Sequence, residues 1–168
     1  GSKTTQISAT MKNTGTIIAN DVSLKRLKIL ASNMERCGVT NEIITRKDGI
    51  ALCKNLKENG FFFDKILVDA PCSGEGTLRS SAITYKMWNP KTIENLSKLQ
   101  KGLLASAIEI LRPGGEIIYS TCTHAPEENE GVVAFVLKKF KNINVETIEL
   151  PTKCRPGLTK WNGDNYDK

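Results

Sequence analysis

Two cysteines, each set in a dense run of small and polar residues, are the groups in this chain best suited to chemistry. Cys72 lies in Asp69-Ala-Pro-Cys-Ser-Gly-Glu-Gly76 and Cys122 in Tyr119-Ser-Thr-Cys-Thr123. A partly exposed thiol with hydroxyl and backbone N–H neighbours can lose its proton readily and attack an electron-poor carbon. Pro71 fixes one torsion before Cys72, and Gly74 and Gly76 allow unusual ones after it. For both cysteines the competing reading is a core residue, since thiols are often buried. A phosphatase loop is excluded, because six residues separate Cys72 from Arg79, one more than that signature has. His124 lies close enough in sequence to serve as a base for Cys122, but a lone histidine in a loop is as readily a solvent-facing one. The five cysteines, Cys37, Cys53, Cys72, Cys122 and Cys154, include no Cys-x-x-Cys pair and accompany a single histidine. A structural zinc site is therefore not expected, and the wide gaps suit a reducing compartment better than a disulfide scaffold.

Three acids have similar promise. Asp21 follows a strand-like run and could grip a ribose through both hydroxyls, or merely cap the helical run from Ser23. Asp48 precedes Gly49 in what reads equally as a turn or a ligand contact. Asp69 opens the Cys72 segment. Gly1-Ser2-Lys3-Thr4-Thr5 has the tail of a phosphate loop but lacks its spacing, and a glycine turn at a helix start could as well cradle a carboxylate or ribose. Arg79, Lys86 and Lys91, with Tyr85 and Trp88 between them, form a basic and aromatic stretch able to hold phosphates and stack bases, or an ordinary surface loop.

The elements that must position these groups alternate between strand-like and helix-period runs, the pattern of an α/β fold with a mainly parallel sheet. Strands are expected at 16–19, 42–45, 65–68 and 116–119, with a last one at 145–150. Helices are expected through Leu27, Leu30, Ala31 and Met34, ending at Gly38; from Gly49 to about Asn59; through Ile93, Leu96, Leu99, Leu103, Leu104, Ala107 and Leu111; and from Glu127 to Phe140, whose acidic start suits the positive end of its dipole. On this reading Asp21, Asp48, Asp69 and Cys122 all lie just past a strand's end, on the rim where open parallel sheets bind ligands.

With 168 residues the chain suits one domain, and 39% hydrophobic content is globular rather than disordered. No apolar run approaches the ~20 residues of a membrane span, and the start shows no secretory pattern. A net charge of +6 favours a polyanionic partner, nucleic acid first, without requiring one.

The Asp69–Gly76 run and the longer run Tyr119-Ser-Thr-Cys-Thr-His-Ala-Pro-Glu-Glu-Asn-Glu130 resemble the two signature motifs of the NOL/NOP/Sun family of RNA cytosine-C5 methyltransferases. Gly1-Ser-Lys-Thr-Thr-Gln6 is similar to the end of that family's cofactor loop, and Lys12–Asp21 is similar too. Order and spacing hold to about Leu150. The resemblance implies a Rossmann-like class I fold binding S-adenosylmethionine, with Gly1, Ser2 and Lys3 around the cofactor's methionine end, Asp21 on its ribose and Asp48 near its adenine. It places Asp69 beside cofactor and target ring, makes Cys122 the nucleophile, and links Cys72 to product release. It further implies an RNA substrate (ribosomal RNA before transfer RNA), no metal, no membrane, and a cytoplasmic setting, nuclear or nucleolar in a eukaryote. Against the family pattern, residues 1–168 read as part of a catalytic domain. The first strand, the C-terminal strand and the N-terminal RNA-binding region are missing, so this chain alone is expected to bind cofactor weakly.

Two cysteines have a reason in the chemistry. Carbon 5 of cytosine is too electron-poor to take a methyl group until a thiolate adds to carbon 6. A proton on nitrogen 3 eases that addition, and Asp69 is the candidate donor, given a pKa raised enough to hold it. Afterwards the carbon-5 proton must leave and the thiol be expelled, with Cys72 or a water it positions assisting. The base must be unstacked or single-stranded. A non-catalytic RNA-binding or ribosome-assembly module would need none of these three residues. In DNA cytosine methyltransferases the nucleophile belongs to the proline-cysteine motif, so Thr121-Cys122 favours the RNA type.

Overall fold

The computed structural model describes residues 1–80, 88–149 and 151–166. Contacts divide the chain into two compact units, Gly1–Asn59 and Gly60–Lys168.

In the first unit, helix α1 (Ser2–Thr10) leads to strand β1 (Ile17–Asn20), helix α2 (Leu24–Arg36), strand β2 (Glu42–Thr45) and helix α3 (Gly49–Glu58). β1 and β2 pair in parallel from Ile17 opposite Glu42 to Asn20 opposite Thr45, so α2 is the crossover such a pair requires. Ser23 caps α2 by accepting from the Arg26 N–H at 3.4 Å. Leu27, Leu30 and Met34 recur at helical spacing and bury against Ala19, with Val39 and Ile44 packed alongside.

In the second unit, strand β3 (Phe63–Asp69) is followed by a 3-10 turn (Glu75–Thr77), helix α4 (Pro90–Ile108), strand β4 (Leu111–Ser120) and helix α5 (Glu130–Lys139). Asn89 caps α4 through the Thr92 N–H, with Pro90 in the first turn where its missing donor costs nothing. β3 and β4 are parallel. Phe63 stands opposite Leu111 but Lys65 opposite Glu116, and the extra chain is taken up at Pro113-Gly114-Gly115, where Gly114 has φ +77°. From Lys65 the register runs unbroken to Asp69 opposite Ser120. Alternation puts Ile66, Val68, Ile117 and Tyr119 on the face packed with Leu104, Ala107, Val132 and Val136. The tail ends in a hairpin of β5 (Lys160–Trp161) and β6 (Asp164–Asn165). Its two-residue turn, Asn162-Gly163, has positive φ at both positions, as the hairpin twist demands.

Several sequence expectations need correction. Residues 145–149 form no strand; Val145 and Ile148 are 66% and 65% exposed, with no burial to hold an extended edge, and Leu150 lies outside the described residues. Helix α5 starts at Glu130, not Glu127, because the preceding residues are held in irregular turns. On α4 the buried face is Ile93, Ser97, Gln100, Leu104 and Ala107, while Leu99 is 40% exposed and Leu111 belongs to β4. Among the described residues, no helix is long and apolar enough to cross a membrane.

Candidate active site

Parallel strands in register deliver their next residues to the same edge. Asp69 closes β3 opposite Ser120, and the register puts Cys72 and Cys122 in the two loops that leave that edge. The Cys72 and Cys122 sulfurs lie 3.1 Å apart, and the Cys122 N–H donates to the Cys72 sulfur at 3.2 Å. Cys122 is exposed, Cys72 half-buried, and Asp69 exposed with the Ser120 hydroxyl donating to its carboxylate at 3.3 Å. Asp69, Cys72 and Cys122 therefore come together on one open rim.

The two loops are cross-linked by more than sulfur. Glu75 accepts from the Thr123 hydroxyl and the His124 N–H, both at 3.1 Å, and from the Trp88 indole N–H at 2.7 Å. Ser73 and Thr123 hydroxyls meet at 2.8 Å. With the single Thr123 proton given to Glu75, Ser73 must be the donor in that contact. The Gly76 N–H donates to the Cys122 carbonyl at 2.9 Å, and a Cβ at position 76 would sit 2.9 Å from that oxygen. Only glycine lets the loops approach this closely.

Burial, and then the hydrogen bond with Cys122, push the Cys72 thiol up to about 11 against the partial relief of N–H contacts from residues 122 and 74. Cys72 thus keeps its proton across the neutral range. Burial also raises the Tyr119 phenol, which donates to the Glu128 carbonyl at 2.7 Å.

Asp21, Asp48 and the Gly1–Lys3 segment lie in the first unit. Asp21 directly follows β1; its carboxylate accepts from the Ser23 N–H at 2.8 Å and pairs with Arg26 at 3.0 Å. Asp48 caps α3, accepting from the Ala51 N–H at 3.0 Å. Gly1 caps α1 and Ser2 and Lys3 form its first turn, so these residues stand at a helix N-terminus rather than in an open loop. Arg79 and Lys91 are exposed, Trp88 is held by Glu75, and Tyr85 and Lys86 lie outside the described residues. His124 contributes its backbone to Glu75.

Sequence reasoning missed Gln100 and Glu128, both wholly buried beneath the Cys72 loop. A polar residue at a core position of an apolar helical stripe was the available signal for Gln100. A groove of about 770 Å³ lies elsewhere in this unit, along α4, α5 and the hairpin, and is lined by Ile93, Lys101, Phe135 and Tyr166.

The chain has relatives among known proteins. The chain is 47% identical over 140 residues to ribosomal RNA small subunit methyltransferase F of Aeromonas salmonicida, covering 83% of this chain and 29% of that protein. It is similar to a crystal structure of a methyltransferase homolog from Pyrococcus horikoshii (TM-score 0.76, 36% identity, 98% of this chain and 49% of the other). It is similar also to NSun6 from Pyrococcus horikoshii with SFG (TM-score 0.71, 38% identity, 82% and 34%). The chain spans less than a third of the length of the curated relatives it matches. Residues 1–161 match the model of the 16S rRNA methyltransferase RsmB/F family, and the chain belongs to that family.

Proposed function

We propose that residues 1–168 are part of the catalytic domain of an RNA methyltransferase that modifies carbon 5 of a cytosine, with ribosomal RNA as the substrate class. The observation that carries this reading is the pair of thiols 3.1 Å apart on an exposed strand-end rim beside Asp69. The names of the relatives support methylation of RNA, and the two-cysteine geometry supports the cytosine chemistry.

S-adenosylmethionine would supply the methyl group as an electrophile, and SFG, seen with the related NSun6, is an analogue of it. The residues present fit such a group. Asp21, an acid still partly open to solvent immediately after β1, suits a ribose diol, and the N-terminus of α1 suits a carboxylate. Asp48 is the further candidate, for the adenine end.

In the reaction, the Cys122 sulfur bonds to carbon 6 of the base and makes carbon 5 nucleophilic. Asp69 would deliver a proton to nitrogen 3, so that the ring can accept those electrons. Once carbon 5 carries its methyl group, a water positioned by Cys72 takes the proton from that carbon, and nitrogen 3 returns its proton to Asp69. The electrons re-form the ring double bond and expel the Cys122 sulfur.

The test uses RNA carrying 5-fluorocytidine, whose fluorine cannot leave as a proton does. The full gene product should form a covalent adduct that Cys122→Ala abolishes, and Cys72→Ala should accumulate a covalent complex on ordinary RNA. An adduct that survives Cys122→Ala overturns the assignment.

A further inference from the structure

Gln100 and Glu128 are both 0% exposed, lie in the second unit and touch neither reactive sulfur in the scheme above. The Gln100 side-chain amide donates to the Pro71 carbonyl at 2.7 Å and to the Glu128 carboxylate at 2.7 Å. Glu128 in turn accepts from the Ser73 N–H at 3.0 and 3.3 Å. The Pro71 carbonyl belongs to the peptide before Cys72 and the Ser73 N–H to the peptide after it. Together those two planes set both backbone torsions of Cys72, and so the direction of its thiol. The Tyr119 hydroxyl pins the Glu128 backbone, and the Ser97 hydroxyl pins the adjacent Glu127 carbonyl at 2.6 Å, so the clamp is fixed on core strand β4 and helix α4.

Burying a carboxylate this completely is costly unless every lone pair it offers is used, and the amide oxygen of Gln100 has no partner among the described residues. Apolar residues would fill the space more favourably. What the polar pair supplies, and an apolar pair would not, is a grip on both peptides flanking one cysteine.

We infer that Gln100 and Glu128 are positioning residues for Cys72 in the release step, an inference that rests on the function proposed above. Cys122, on the other loop, receives no bond from either. Loosening the clamp therefore spares adduct formation and impairs release. That separates positioning from mere support of the fold, which would weaken both steps together.

The experiment compares Gln100→Met, which keeps volume and removes the donor, with Glu128→Gln, whose amide oxygen still accepts from Ser73 and whose N–H₂ can turn to the unpartnered Gln100 oxygen. In the full gene product, Gln100→Met should accumulate about tenfold more covalent complex on ordinary RNA than wild type, the cost of one buried charge-assisted bond. Its adduct yield on 5-fluorocytidine RNA should stay within about twofold, since the Cys122 loop keeps its contacts. Glu128→Gln should remain near wild type in both. Should Gln100→Met not fold, Glu128→Asp, which keeps the charge but withdraws it by one carbon, carries the same pair of measurements. If these variants lose both yields in step while Cys72→Ala accumulates complex, the positioning role is wrong. If Cys72→Ala itself accumulates nothing, the underlying reaction scheme fails instead.

Discussion

The edge of the β3–β4 pair and the edge of the β1–β2 pair carry similar residue types but use them differently. At β3–β4 the two thiols proposed for chemistry are in hydrogen-bond contact across the two loops, sulfur to sulfur at 3.1 Å, with Ser73, Glu75 and Thr123 stitching the loops around them. At β1–β2 the cross-links come from Asn20, which donates to the Lys47 carbonyl and accepts from the Lys47 N–H and the Thr45 hydroxyl, and from Arg46, which donates to the Val22 carbonyl, with the Asp21 N–H reaching the Thr45 carbonyl through the backbone alone. Asp21 and Asp48 there serve the starts of their own helices. Bond making demands tight mutual placement of reacting atoms, whereas a ligand hydroxyl can be met by an acid held only through a local turn. The first edge should accordingly be intolerant of substitution and the second tolerant.

The largest expected contrast is in thiol reactivity. With its proton held up to about 11, Cys72 should alkylate slowly near pH 8 and faster by about tenfold per pH unit toward that value, as thiolate forms. Cys122→Ala removes a hydrogen bond and a charge that hold the proton on, so the rise should shift to lower pH while burial keeps it above the usual thiol range. Mass spectrometry of the alkylated peptide across pH checks both. A Cys72 rate that levels off at or below pH 8 would break the contrast. Next comes Glu128→Ala, which strands the Ser73 and Gln100 N–H groups in a new cavity and should cost about 3 kcal/mol in urea unfolding. Gly76→Ala follows at about 2 kcal/mol, because its Cβ meets backbone, the Cys122 carbonyl, rather than a movable side chain.

The same contrast explains what could be read from residues alone. Short-range patterns transferred well: β2 at Glu42–Thr45 and the α2 stripe of Leu27, Leu30 and Met34 are where alternation and helical spacing put them. That Asp69 and Cys122 follow strand ends was legible from the pattern, and Cys72, marked by its motif alone, lies at the same edge. The clamp was not. Glu128 sits among Glu127 and Glu130, where helix-dipole reasoning explains three acids at once and hides the one that is buried. Gln100 was overlooked because Leu99 beside it fits an apolar stripe better, although it is Leu99 that faces water. The hairpin was missed despite its Asn162-Gly163 turn, since its strands are two residues each and carry no alternation. Burial of polar side chains depends on partners 28 or more positions away, which no local window contains.

On the tolerant edge, Asp48→Ala should cost about 1 kcal/mol, the ordinary value of an N-cap, measured by the same unfolding. Asp21→Asn should cost less than about 0.5 kcal/mol, and it sharpens the comparison most despite being the smallest. Its amide oxygen still accepts from the Ser23 N–H, and the pair it loses is to Arg26, whose side chain is 71% exposed and well screened. If Asp21 were only a turn residue, nothing else should change. If it also holds a ribose diol, calorimetry on the full gene product should show S-adenosylmethionine binding weakened by about tenfold, because an amide offers one acceptor where the carboxylate offers two charged ones. A loss of stability as large as that of Gly76→Ala would mean the acid is structural and the two edges are alike. Unchanged stability with weakened binding would mean that the β1 edge keeps its acid for a ligand, at little cost to the fold.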